Sequence, residues 1–212
     1  MQLFWELSSY AQMSFTDPEL NIMPTNNKGW DYCGNAQASV DGAYQIILAC
    51  DVIAETNDKQ QAVPMAQLTV AQLEQAGIER SKDAEGVVEK IPATYDSGYY
   101  SETAAEAVEQ LGFDPYMATG RQRHHEPEDE VGEAPTTAKE RMAQKVRTSE
   151  GHALYARRKV IVEPVFGQIK EARGFRRFLL RGLDNIRGEW CLVCLTHNLL
   201  KLWRYMCAPI MV

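Results

Sequence analysis

The chain has 212 residues, 45% hydrophobic and 24% charged, with a formal net charge of −7. That mix suits one folded domain, or at most two small ones, and excludes a globally disordered chain. Five cysteines (Cys33, Cys50, Cys191, Cys194 and Cys207) at irregular spacing exclude a disulfide framework and favour a reducing, cytoplasmic setting.

The first residues, 1–13, carry no clear pattern and lack the basic and apolar regions of a signal peptide. Thr16-Asp17-Pro18-Glu19 is a turn signal beside a short apolar piece. Asn35 to Asp41 alternates apolar and polar residues, which predicts a half-buried strand. Gln45 to Ile53 reads as a second, more buried strand, and Gly42-Ala43 between them predicts a hairpin. After a polar loop at 56–61, Met65, Leu68, Val70 and Leu73 recur at helical spacing over 63–76, with Gly77 as the stop.

Ile91 to Asp96 predicts a short strand running into an Asp-Ser-Gly loop, although Pro92 cannot donate to a central ladder. Ser101 to Leu111 predicts a helix with Ser101 as N-cap and Gly112 past its end, followed by a strand over 113–119. Residues 120–147 read as a polar, flexible insert. Its His124-His125 and the acids Glu126, Glu128, Asp129 and Glu130 read as a solvated linker, since no helix or strand orients them as metal ligands. From Thr148 to Met206 the pattern is mostly helical, and 207–212 is a tail. The longest apolar run, Trp190 to Trp203, is broken by His197, Asn198 and Lys201 and is too polar to span a membrane. Within it Cys191 and Cys194 lack a second ligand pair at zinc spacing, so both read as small buried hydrophobes.

Charge is distributed unevenly. Lys139 to Arg187 holds thirteen Lys/Arg against five Asp/Glu, a local +8 that leaves −15 on the rest. This fits either a basic binding surface on an acidic body or a solvated helix face with internal ion pairs.

Two carboxylates stand out. Asp96 lies at the C-terminal end of a predicted strand beside a glycine turn, where open α/β sheets place their sites, and where a plain turn aspartate also belongs. Glu163, Gly167 and Lys170 share one helical face, beside a stripe of Val162, Phe166 and Ile169. Pro164 implies that this helix starts or kinks there. Glu163 equally suits a helix start stabilised by the macrodipole.

The tract from Arg158-Lys159 through Glu163-Pro-Val-Phe-Gly-Gln-Ile-Lys170, then Arg173-Gly-Phe-Arg-Arg-Phe, Arg181-Gly-Leu, Glu189-Trp and His197-Asn-Leu-Leu-Lys201-Leu, resembles the C-terminal catalytic segment of DDE insertion-sequence transposases. Thr16-Asp-Pro-Glu, Asn35-Ala-Gln-Ala-Ser-Val-Asp41, Asn57-Asp-Lys-Gln-Gln and Asp96-Ser-Gly-Tyr-Tyr-Ser-Glu102 resemble that family in the same order.

The resemblance implies a fold and a chemistry. The fold is α/β, an RNase H-like mixed sheet flanked by helices over 14–206, with a helical C-terminal segment. The chemistry is DNA transposition: metal-dependent phosphodiester cleavage and strand transfer at element ends. In the intact family two Mg2+ (or Mn2+) ions sit on three carboxylates. Asp96 and Glu163 match the second and third of these. The family's Tyr, Arg, Glu and Lys signature appears as Tyr155, Arg158, Glu163 and Lys170, the first two one position further from Glu163 than usual. Arg158 and Lys170 are then phosphate contacts near the cut. Lys159 lies in the same basic tract, and Arg173, Arg176, Arg177 and Arg181 become backbone contacts. The implied partners are DNA and further copies of the chain, with no membrane, and the implied place is the cytoplasm, on the nucleoid when bound.

The family's first aspartate, in an apolar strand followed by Gly-Thr, has no match. Asp41 is a weak substitute and Asp17 another; both match other motifs. The expectation is therefore a truncated, catalytically impaired domain without its first strand. The alternative is a non-catalytic DNA-binding or self-associating remnant, and an unrelated α/β protein with a basic tail is a third reading.

Overall fold

Alternation in Asn35–Val40 and the apolar run Ile47–Ile53 build an antiparallel hairpin, strands β3 and β4, in the computed structural model of the chain. The structure describes residues 13–25, 29–82, 84–120 and 136–207. The unpatterned start (1–12), the His124 to Glu130 cluster and the tail from 208 lie outside these residues.

Before the hairpin run two strands that the sequence reading missed, β1 (Asn21–Pro24) and β2 (Trp30–Cys33), paired antiparallel. Each is only four residues long, too short to show a period of two. The hairpin turn is longer than Gly42-Ala43. Asp41 N–H donates to the Ile46 carbonyl, and Gln45 takes the left-handed conformation at φ 59°. β4 accordingly starts at Ile47, two residues later than expected.

Helix α1 (Ala62–Gln75) ends before Gly77, whose φ is 67°, as its pattern predicts. Strand β5 (Ile91–Tyr95), helix α2 (Glu102–Gln110) and strand β6 (Phe113–Met117) form a unit in which β5 and β6 pair in parallel. Pro92 is accommodated because, among the described residues, β5 is paired on one side only, and a missing N–H is tolerated at a sheet edge. Ser101 caps α2 by accepting from the Ala104 amide.

The expected polar insert is overturned in part. Ala138–Arg147 is a helix, α3, opened by a capping box between Thr137 and Glu140. Helix α4 follows at once (Ser149–Gly167) and widens into a π turn at Gln168–Ala172. After an irregular stretch, α5 runs over Leu183–Cys207.

Pro164 neither starts α4 nor ends it. Proline cannot donate to the carbonyl four residues back, that of Val160. The Gln45 side chain supplies the missing donor at 2.9 Å. Gln45 also bonds α5: its carbonyl takes His197 Nε2 at 3.0 Å, and its Oε1 takes Lys201 Nζ at 2.6 Å.

The strands form three separate two-stranded ladders among the described residues, so the fold is mixed α/β with small sheets. Two cores hold it. One packs Ile47 and Val52 of β4 against Val165, Ile169, Ile186 and Trp190. Trp190 lies among Phe166, Phe175 and Phe178 and donates to the Gln37 carbonyl at 2.9 Å. The other packs α1 and α2 against β5 and β6 through Ala66, Val108, Phe113 and Met117.

Candidate functional site at the end of β5

Asp96 follows the last residue of β5 and caps the short 3-10 turn Ser97–Tyr99. Its Oδ1 accepts from the Ser97 amide at 2.7 Å. Its Oδ2 lies 3.3 Å from Arg158 Nη1 of α4. The Asp96 side chain stays 56% exposed, so an outside ligand can reach it. Arg158 rests on the Tyr155 ring, 5.5 Å from its centre, and its Nε is buried without a partner. Burial, above all, pushes the Tyr155 hydroxyl above its ordinary value, so Tyr155 stays a neutral platform for the guanidinium.

Behind the Asp96 turn lies a polar network that no sequence reading assigned a role. Tyr99 donates to Gln37 Oε1. The buried Gln37 donates to Asp58 Oδ1 at 2.9 Å and to Asn35 Oδ1 at 3.0 Å, and Asn35 donates to Asp58 Oδ1 at 2.7 Å. Asp58 abuts Gly98, where an added Cβ would come within 3.7 Å of its carboxylate. Desolvation first, and the charges of Asp58 and Asp96 next, raise the Tyr99 hydroxyl, which keeps it a donor. The network ties the hairpin to the turn that carries Asp96. The Asn57-Asp58 pair directly after a buried strand was the available signal.

Glu163 takes no part in the Asp96–Arg158 contact. It lies five residues past Arg158, about 140° further round the helix, on an exposed face. Among the described residues no hydrogen bond or ion pair reaches it, and none of their His, Cys, Asp and Glu side chains group in threes able to share a metal ion. As arranged, the carboxylates do not fit a metal donor set: Asp96 gives one oxygen to an amide and turns the other to a guanidinium.

The weaker acidic candidates are structural. Asp41 Oδ2 accepts from the Ala43 and Tyr44 amides and shapes the hairpin turn. Asp17 is buried and accepts from the Gly182 amide, and Glu19 accepts from Leu183, so the Thr-Asp-Pro-Glu motif caps the start of α5.

The basic candidates divide. Arg173 donates to the Val193 carbonyl at 3.0 Å and to Thr196, which fastens the loop to α5. Arg176 pairs with Glu171, both exposed. Lys159, Lys170, Arg177 and Arg181 are exposed, and no carboxylate pairs with them among the described residues. Lys170 lies 5.4 Å from the Phe166 ring centre.

The cysteine expectation holds for Cys194 alone, which is buried in the core. Cys191 is exposed, with its sulfur 3.6 Å from that of Cys50. Desolvation first pushes the Cys191 thiol up to about 11, so it stays protonated at neutral pH.

Comparison with known families matches residues 103–203 to the transposase DDE domain. The match takes in Glu163, Lys170 and all of the basic tract, and begins after Asp96. No curated protein and no solved structure matches the chain. No helix among the described residues is long and apolar enough to cross a membrane.

Proposed function

Because residues 103–203 match the transposase DDE domain, we propose that this chain acts in DNA transposition by gripping the phosphodiester backbone of insertion-sequence ends. One observation carries the reading: within the matched segment Lys159, Lys170, Arg177 and Arg181 stand exposed without a paired carboxylate among the described residues. Such cations bind phosphate by releasing counterions, without reading sequence. Arg158, Arg173 and Arg176 border them, and their present partners hold them in place. The chain works on bacterial nucleoid DNA, as copies acting together. Its fold is of the RNase H-like class, with the β3–β4 hairpin and the parallel β5–β6 unit, which form separate ladders, as the counterparts of that class's mixed sheet.

With the acids arranged as they are, the first activity is binding without cutting. Cleavage and strand transfer form a second reading, favoured by the exposure of Asp96 at the C-terminal end of β5. An incoming phosphate would compete for Arg158 and free the Asp96 carboxylate, with Glu163 as the other acid.

Labelled element-end DNA tests both. Affinity should fall steeply with salt, and replacing the four exposed cations with alanine should flatten the log–log slope by about 3–4. A salt-independent affinity refutes the first reading. Nicking in Mg2+ or Mn2+ that disappears in both Asp96→Asn and Glu163→Gln supports the second; nicking unchanged in both removes these residues from it.

A further inference from the structure

Three thiols meet where α5 packs on β4. Cys50 of β4 is half-buried, and its sulfur lies 3.6 Å from that of the exposed Cys191 on α5. Cys194, one turn further along α5, is buried and hydrogen-bonded to Cys50. We propose that Cys50 and Cys191 are a modification site: they exchange with a low-molecular-weight disulfide and form an internal disulfide that staples α5 to β4.

The register of the two elements carries the inference. On one side of the pair, Arg187 of α5 donates to Asp51 Oδ1 at 2.9 Å and to the Val52 carbonyl at 3.1 Å. On the other side, Asn198 of α5 exchanges two bonds of 2.8 Å with the Ile47 backbone. These contacts bracket Cys50 along β4 and Cys191 along α5, so the two sulfurs are held opposite each other by packed elements. Such placement makes bond formation effectively unimolecular. From 3.6 Å, bonding distance is about 1.6 Å away, a step within reach of side-chain rotation.

Exposure orders the chemistry. The reagent meets Cys191 first. The Cys191 thiolate attacks one sulfur of the small disulfide and expels one thiol, which takes up the Cys191 proton. Cys50 then gives up its proton, attacks Cys191 Sγ and expels the second thiol. Two protein thiols are oxidised, and one small disulfide is reduced to two thiols.

The surroundings set the pace. Desolvation above all holds Cys191 at about 11. The Cys194 hydrogen bond, then burial, raises Cys50, and the Asp51 charge raises both, while Arg187 is engaged by Asp51. Few thiolates exist at neutral pH, so exchange is on the order of tenfold or more slower than at an ordinary exposed cysteine. Neither thiolate is stabilised, which is what makes a dithiol pair strongly oxidising, so the bond once made resists reduction. The site answers sustained oxidation and passes over brief exposure.

The test incubates the reduced full chain, freed of reductant, with oxidised glutathione, alkylates the remaining thiols and maps the peptides by mass. A Cys50–Cys191 bond is expected, kept in Cys194→Ala and absent from Cys50→Ser and Cys191→Ser. The bond closes a loop across 141 positions, so the oxidised chain should melt at least about 5 °C higher, a gain removed by dithiothreitol. If Cys50→Ser does not fold, Cys191→Ser, at an exposed position, carries the control. Prolonged oxidation that leaves both thiols free overturns the proposal. So does a stop at a mixed disulfide on Cys191 with Cys50 still alkylated after unfolding, or a bond from Cys191 to Cys194 or to another chain instead.

Discussion

Pro164 deprives Val160 of its helical hydrogen-bond donor, and Gln45 replaces that donor from the hairpin. Gln45→Ala removes two side-chain bonds. The one to Val160 is exposed, so water takes over part of it and the loss is about 0.5–1 kcal/mol. The one to the Lys201 ammonium is partly buried and charge-assisted, and costs about 1–1.5 kcal/mol. The strained backbone at residue 45 is unchanged by alanine, so the total is about 2 kcal/mol. Pro164→Ala gives Val160 its own helical donor. In that background Gln45→Ala should cost about 0.5–1 kcal/mol less, because only the Lys201 bond remains to lose. Urea unfolding of the four proteins measures the coupling. Equal costs in both backgrounds, or a larger cost in the Pro164→Ala background, would refute the compensation.

Two further predictions rest on single positions. At Gly151 an added Cβ would lie 1.9 Å from the Lys145 carbonyl oxygen, so Gly151→Ala should force α3 and α4 apart and cost about 3 kcal/mol; a denaturant midpoint close to wild type contradicts this. Burial, chiefly, lowers the His197 pKa below its ordinary value, so the folded chain binds that proton less readily than the unfolded chain. Stability from this group is complete above about pH 6.5 and declines as pH falls below it. Melting temperatures from pH 7.5 to 5 should therefore drop more for wild type than for His197→Gln, and parallel profiles would exclude His197.

The long periodic elements were legible because their signals are local. α1 and α2 announced themselves by helical spacing and by Gly77 and Gly112, and the β3–β4 pairing by alternation and apolar content. β1 and β2 were not legible, being too short to show a period. α3 was hidden by its polarity, although Thr137 and Glu140 spelled its capping box. At the site, Asp96 was readable as an acid at a strand end. Its engagement by Arg158, and the support of its turn by Asp58 through Gln37 and Tyr99, depend on residues 21 to 62 positions apart that no local pattern joins. Glu163 was placed on the same helical face as Lys170 by spacing alone, and spacing does not reveal which way a helix turns toward its neighbours.

The caps on α5 bear on how the chain reaches this state. Asp17 and Glu19 accept from the amides of Gly182 and Leu183, across more than 160 residues. α5 also closes the core over Ile47 and Val52. During synthesis the hairpin must therefore wait, its apolar face open, until α5 has emerged. A helix made long after the hairpin seals the core that the hairpin begins. Such closure between distant parts of a chain is slow, and the open interval is when chaperones and premature aggregation compete for the nascent protein.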